Sequence, residues 1–226
     1  RSNPSVPKAL KKENLGLAYL AACLEADGHT ARIIDEIAGQ NVDDVLDQFR
    51  PDVVGISFMT MYALRAYELA DSIRKQRGLA VVLGGAHPSA LPEEAIEHGD
   101  CVIRGEGELT LPKLLASGTL EGIVEPEPPE DLDALPMPKR EQLNLDFYAS
   151  SGEELAGFSY RTLGCITSRG CPFHCIFCTN SKREARLRFH SPERVIEEIR
   201  YLVERHHIES IAFYDELIGT DSHRFE

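Results

Sequence analysis

Residues 51–108 read PDVVGISFMTMYALRAYELADSIRKQRGLAVVLGGAHPSALPEEAIEHGDCVIRGEGE, and this stretch decides the fold. Three short runs in it are almost continuously apolar: Asp52–Phe58 (DVVGISF), Ala80–Gly84 (AVVLG) and Asp100–Arg104 (DCVIR). Each reads as a buried strand. Between them, a run from about Tyr62 to Arg77 and a shorter one near Glu93 to His98 read as helices, the second after a Gly-Gly-Ala-His-Pro loop. Strands that lack a polar face are covered on both sides, which requires a parallel sheet with helical crossovers. With right-handed crossovers the result is a doubly wound α/β domain of the flavodoxin or Rossmann kind.

Outward from this core the pattern continues. The first fourteen residues are polar and read as loop; Leu15–Asp27 is an apolar helix closed by Gly28. Thr30–Asp35 (TARIID) reads as a strand, and Asn41 caps a short helix that Pro51 stops. On the other side, Gly105-Glu106-Gly107-Glu108 leads into a helix through Leu115. Glu125–Tyr148 is acidic and rich in proline, and reads as an interdomain linker. Tyr160–Ser168 is a strand, Ser191 and Pro192 start a helix that runs to His206, and Ile208–Tyr214 is the next strand. The expected division is therefore an α/β domain over 1–124, a linker over 125–158, and the first part of a (β/α) partial barrel over 159–226. Both ends read as cut, as in a piece of a longer enzyme.

Bulk properties narrow the function. A net charge of -13 argues against nucleic-acid backbones, which need clustered Lys and Arg. No apolar run approaches the roughly 20 residues of a membrane span, and no signal-peptide pattern opens the chain. Six cysteines without such a signal point to a reducing, cytoplasmic setting where clustered thiols bind metal or do redox chemistry. Cys23 and Cys101 lie among apolar residues and read as core thiols.

Three cysteines fall together as Cys171-Pro-Phe-His-Cys175-Ile-Phe-Cys178, a Cys-x3-Cys-x2-Cys spacing. Thiolates are the usual ligands of a four-iron cubane, and three of them from one loop leave the fourth iron open. Gly170 and Pro172 suit the tight bend such a wrap requires. Zinc is the alternative, with His174 or His190 as a fourth donor in a tetrahedral site. Zinc motifs usually pair two Cys-x2-Cys units, and no second unit exists here. Cys165 is a further candidate ligand, or a core residue of its strand.

Gly170–Asn180 is similar to the signature of radical S-adenosylmethionine (SAM) enzymes. The resemblance implies that Cys171, Cys175 and Cys178 bind a [4Fe–4S] cluster whose open iron chelates SAM. One-electron reduction by an external reductant then cleaves SAM to methionine and a 5′-deoxyadenosyl radical. It also implies that Phe177 packs near the adenine. Tyr214-Asp215-Glu216 falls where the family reaches the SAM amino group, and carboxylates suit an ammonium. The family's common Gly-Gly-Glu is absent there. Arg188–Pro192 resembles the family's lead into the following helix.

Leu15–Ala22, Gly55-Ile56-Ser57 with Thr60, Gly84-Gly85-Ala86-His87 and Gly105-Glu106-Gly107-Glu108 occur in that order. Together they resemble the cobalamin-binding domain that precedes the radical SAM domain in one subgroup. Ligands of open α/β sheets sit beyond the carboxyl ends of strands, where Ser57, Thr60, Gly84, Gly85 and Gly105 fall. The resemblance implies cobalamin contacts at these residues and at His87, Glu106 and Gly107. Asp-x-His-x-x-Gly, whose histidine binds cobalt in other cobalamin domains, does not occur. Gly105-x-Gly107 lacks the third glycine of a dinucleotide fingerprint, which leaves a flavodoxin-like cofactor site as a second option.

These resemblances imply methyl transfer from methylcobalamin to an unactivated carbon of a small-molecule or peptide substrate. A second reading keeps the radical chemistry, for ring formation for example, with a cofactor-free N-terminal module. A third is a zinc-stabilised binding protein without catalysis.

Overall fold

The computed structural model describes residues 12–149, 154–155, 158–178, 186–219 and 221. The chain divides into two compact units: Leu20–Arg32 with Asp43–Pro129, and Arg1–Tyr19 with Ile33–Val42 and Glu130–Glu226. Among the described residues no helix is long and apolar enough to cross a membrane.

The first helix, α1 (Leu15–Ala26), is common to both by sequence. Asn14 starts it by accepting the Leu17 N–H at 3.1 Å, and Gly28 closes it as expected. The unit holding Asp43–Pro129 continues with α2 (Val42–Phe49), β1 (Val53–Ser57), α3 (Ala63–Arg77), β2 (Ala80–Gly84), α4 (Ala86–Ala90), α5 (Pro92–Ala95), β3 (Cys101–Ile103), α6 (Thr110–Ser117) and β4 (Gly122–Val124). Its four strands form one parallel sheet in the order β1-β2-β3-β4. The parallel α/β class is as expected; the strand order follows the chain across these four strands, and no reversal lies among them. Val82, Cys101 and Ile103 centre its core, with Leu111, Leu114 and Val124 packed on them. Cys23 is also buried, as expected of a core thiol.

Several elements differ from expectation. Thr30–Asp35 forms no ladder among the described residues: the Ile33 N–H goes to Gln142 Oε1 and the Asp35 N–H to Gln40 Oε1, at 2.8 and 2.7 Å. Of the expected Gly-Gly-Ala-His-Pro loop, Ala86-His87-Pro88 starts helix α4, because Pro88 sits in its first turn, where no N–H is needed. The following helix is α5, ending at Ala95 rather than His98. β4 is a short edge strand that composition did not reveal.

The other unit contains α7 (Leu145–Ala149), β5 (Glu154–Leu155), β6 (Phe158–Ser159), β7 (Thr162–Cys165), β8 (Ser168–Arg169), β9 (Arg188–Phe189), α8 (Pro192–His206) and β10 (Ser210–Phe213). β7 and β10 pair in parallel across α8, the expected βα unit. Ser191 caps α8 by accepting the Arg194 N–H at 3.2 Å, with Pro192 in the first turn. The acidic, proline-rich stretch is packed rather than extended: Leu132, Leu135, Arg140, Leu143, Leu145 and Tyr148 are all buried.

Arg140 shows why this stretch folds. Its guanidinium is 1% exposed and donates to Glu198 of α8 and, at 2.7 Å, to the Gly164 carbonyl of β7. Glu13 faces it at 3.6 Å and accepts the Gly164 N–H at 2.5 Å and the Tyr214 hydroxyl at 3.0 Å. One cation is thus set between two buried carboxylates. Removing it strands both, so Arg140→Ala should cost about 3–5 kcal/mol of stability, read from the urea unfolding midpoint.

Candidate functional site

The first candidate surface is the carboxyl edge of the four-stranded sheet. The ladder aligns Ser57 of β1 with Gly84 of β2, and Leu83 with Val102 of β3, so the loops after all three strands leave one edge. Gly85 has φ +92°, and a Cβ there would lie 2.8 Å from Phe58 N and from Ser57 Oγ. This position admits only glycine. The loops are knitted together by Phe58 N–H to Gly84 O and His87 N–H to Phe58 O, both 3.2 Å. Ser57, Gly84, Gly85, Gly105 and Glu106 are half-buried along the edge and Thr60 is exposed, whereas Gly107 is buried. Met59, Met61 and Leu64 are exposed beside them.

His87 departs from its expected part as a ligand contact. It is buried, with Nδ1 3.1 Å from Thr60 Oγ1 and Nε2 3.0 Å from Tyr67 OH, and Glu94 at 3.4 Å. Both ring nitrogens face protein partners, so the ring holds the Thr60 hydroxyl in place. Burial, reinforced by Glu94, pushes the Tyr67 phenol up to about 12 and keeps it a hydrogen-bond donor. Tyr67 and Glu94 were not anticipated, since an aromatic and an acid on helices carry no motif.

The second candidate site is the cysteine loop. β8 pairs antiparallel with β9, Ser168 against Phe189 and Arg169 against Arg188, and the loop leaves from this ladder. Gly170, at φ +93°, turns the chain into Cys171. The Cys178 N–H closes a turn on the Cys175 carbonyl at 2.9 Å. Cys175 is exposed and Cys171 and Cys178 are half-buried; none of the six cysteines is in a disulfide. Phe173, Ile176 and Phe177 are exposed around them, Phe177 by 90%.

Three thiols from one short loop match the donor set of a cubane, one thiolate to each of three irons. As the loop stands, no three His, Cys, Asp or Glu side chains among the described residues, the loop thiols included, are grouped to hold a metal ion. The zinc alternative loses His190 as its fourth donor: the ring is buried, with Nδ1 2.9 Å from Asp133 Oδ1 and Nε2 facing Tyr19 OH. Cys165 is fully buried in β7, and burial pushes its thiol well up, as befits a core residue. The sheet edge likewise fits a flat, bulky ligand in its glycine-lined loops and exposed apolar fringe.

The carboxylates expected at SAM are placed differently from each other. Glu216 is exposed. Asp215 faces the corner between β7 and β8, accepting the Thr167 N–H at 3.1 Å, the Thr167 hydroxyl at 2.8 Å and the Ser168 hydroxyl at 2.5 Å. That corner also breaks the expected single strand from Tyr160 to Ser168 into β7 and β8. Asp133 was likewise missed: it receives His190 and the Ser191 N–H, linking the former linker to the start of α8. Carboxylate pairings across 47 to 58 residues leave no local sequence signal.

Comparison with known proteins assigns a family to each candidate surface. Residues 9–115 match the B12 binding domain family and residues 165–218 the Radical SAM superfamily. Domains of the first kind bind cobalamin, and those of the second work with a [4Fe–4S] cluster and SAM. An uncharacterized methyltransferase of Pyrococcus horikoshii is 35% identical over 93% of this chain and 50% of its own length. The hopanoid C-3 methylase of Methylococcus capsulatus is 31% identical over 86% of this chain and 41% of its own. The chain thus spans about half the length of these curated relatives. The solved cobalamin-dependent S-adenosylmethionine radical enzyme OxsB, with aqua-cobalamin bound, shares the fold at TM-score 0.68 and 21% identity, over 91% of this chain and 32% of its own.

The His190 site predicts a pH dependence. Burial holds the imidazole below its ordinary value of 6.5 in spite of Asp133, so the unfolded chain takes up a proton that the folded chain refuses. Stability should fall as pH drops below about 6.5. His190→Gln, which keeps a donor for Asp133, should flatten this slope in unfolding midpoints measured between pH 5 and 8, each about a decade or more from the Asp133 titration.

Proposed function

We propose that this chain, which belongs to the radical SAM proteins with an N-terminal B12-binding domain, holds the cofactors for methyl transfer to an unactivated carbon. The observation that carries the reading is one chain pairing a three-thiol loop on a βα unit with a glycine-lined carboxyl edge on a parallel sheet. The names of the relatives, a methyltransferase and a methylase, support methyl transfer over other radical chemistry.

When bound, the cluster and SAM supply a carbon radical after one-electron reduction, and the corrinoid supplies the methyl group. The chain's own residues bind and shield these groups. Cys171, Cys175 and Cys178 offer three thiolates and leave one iron for SAM. Phe177, exposed beside Cys178, gives the adenine an apolar face, and Glu216 gives the SAM ammonium an acceptor. Within residues 1–124, Ser57 and Thr60 offer hydroxyls to the corrinoid, and Gly84, Gly85 and Gly105 let it approach the backbone. Glu106 flanks the same edge, and buried Gly107 supports the turn into α6 from below. His87 orients Thr60 without touching the ligand. Met59, Met61 and Leu64 keep water from the apolar face. The substrate is a small molecule or peptide, the electron comes from an external one-electron donor, and the thiols require a reducing, cytoplasmic setting.

Protein isolated without oxygen and supplied with iron and sulfide should hold about four irons per chain and bind hydroxocobalamin. The triple variant Cys171/Cys175/Cys178→Ala should lose the iron and its visible absorbance while retaining the corrinoid. One zinc with no sulfide would overturn the cluster reading; absence of corrinoid binding would overturn the B12 reading.

A further inference from the structure

We propose that Asp215 is a positioning residue that anchors the base of the cluster loop, rather than a contact of SAM. The inference rests on the reading of Cys171, Cys175 and Cys178 as cluster ligands.

Asp215 follows directly on β10, where the family pattern led to a carboxylate facing the SAM amino group. Its side chain instead closes on Thr167 and Ser168. Oδ1 accepts from the Thr167 N–H at 3.1 Å, the Thr167 hydroxyl at 2.8 Å and the Ser168 hydroxyl at 2.5 Å. Oδ2 lies 3.2 Å from the same Thr167 N–H. Hydrogen bonds to an ionised carboxylate are the strong ones, and three donors here converge on one.

What these bonds fix is the ground on which the cysteine loop stands. β8 is only two residues long and, among the described residues, pairs only with β9, a ladder too short to hold itself. The corner before it is held from both sides. Thr167 O accepts the His190 N–H at 2.9 Å, after β9, while Asp215 grips its N–H and hydroxyl from β10. β10 is in turn tied to β7 along its length, up to the Tyr214 N–H on the Cys165 carbonyl at 2.9 Å. Asp215 therefore transmits the rigidity of the parallel pair to Ser168. Only Arg169 and Gly170 separate that residue from the first thiol. A first ligand so near its anchor has little freedom to drift from its iron, whereas a loosened corner would let Cys171 swing.

The test uses protein loaded without oxygen and compares wild type with Asp215→Asn, the double variant Thr167→Val/Ser168→Ala, and Thr167→Ser. Cluster loss to a chelator is followed by visible absorbance. SAM affinity is read from the change SAM makes in the EPR spectrum of the reduced cluster. Asp215→Asn and the double variant should each lose the cluster about tenfold faster, the scale of one charge-assisted hydrogen bond. SAM affinity of the loaded protein should stay within about twofold, well under the tenfold expected on losing a direct charged contact. Thr167→Ser, which keeps the hydroxyl, should behave as wild type. The double variant leaves Asp215 in place, so it decides the matter even if Asp215→Asn does not fold. A cluster retained at the wild-type rate in the double variant, or SAM affinity falling in Asp215→Asn with the cluster secure, would overturn the inference. Wild type that takes up zinc but no cluster would overturn it together with the function proposed above, which separates the two failures.

Discussion

The cysteine-bearing unit depends on how β7 satisfies its outer edge. One side of this strand is paired with β10, while Gly164 turns its N–H and carbonyl the other way. No further strand meets them there among the described residues. Glu13 takes the N–H and Arg140 covers the carbonyl, so two side chains from distant parts of the chain do the work of a neighbouring strand. The pairing is costly in desolvation and tolerable because each charge has its opposite and its hydrogen bonds. Gly164 is irreplaceable in this arrangement: a Cβ would lie 2.1 Å from the Tyr214 ring, which covers the strand at that point. The corner, the loop and the thiols all extend from this braced strand.

The sequence was most legible where a local pattern coincides with a local cause. The apolar run Ala80–Gly84 became β2 without adjustment, and Ser191-Pro192 became the cap and first turn of α8. Cys-x3-Cys-x2-Cys stood out as a candidate site because three thiols at that spacing have few other uses. Legibility failed where partners lie far apart in sequence. TARIID has the composition of a strand, yet the N–H groups of Ile33 and Asp35 go to glutamine side chains. Proline and acid content marked residues 125–148 as spacer, although Leu132, Leu135 and Arg140 are as buried as any core residue. Composition counts residues; it does not show that one buried cation has two carboxylates waiting for it.

The two candidate surfaces treat polar side chains in opposite ways. At the sheet edge, buried His87 stands behind exposed Thr60, so an exposed hydroxyl is oriented by a buried ring. At the cysteine loop one thiol, Cys175, is exposed and two are half-buried, and the control lies at the base. Asp215 and His190 illustrate how readily a motif residue is displaced from its anticipated part. Each carries the charge or ring that a ligand would want, and each is already held by protein groups.

The ladder between β8 and β9 has an evolutionary consequence. It joins the two ends of the cysteine-bearing segment, so the thiols hang from a closed neck and not from the parallel pair β7–β10 itself. Adding residues to a segment whose ends are already joined is cheap, about 0.6 kcal/mol for each doubling of its length. Descendants of this architecture can therefore change the length of the chain between β8 and β9 while the framework that carries the thiols is inherited unchanged.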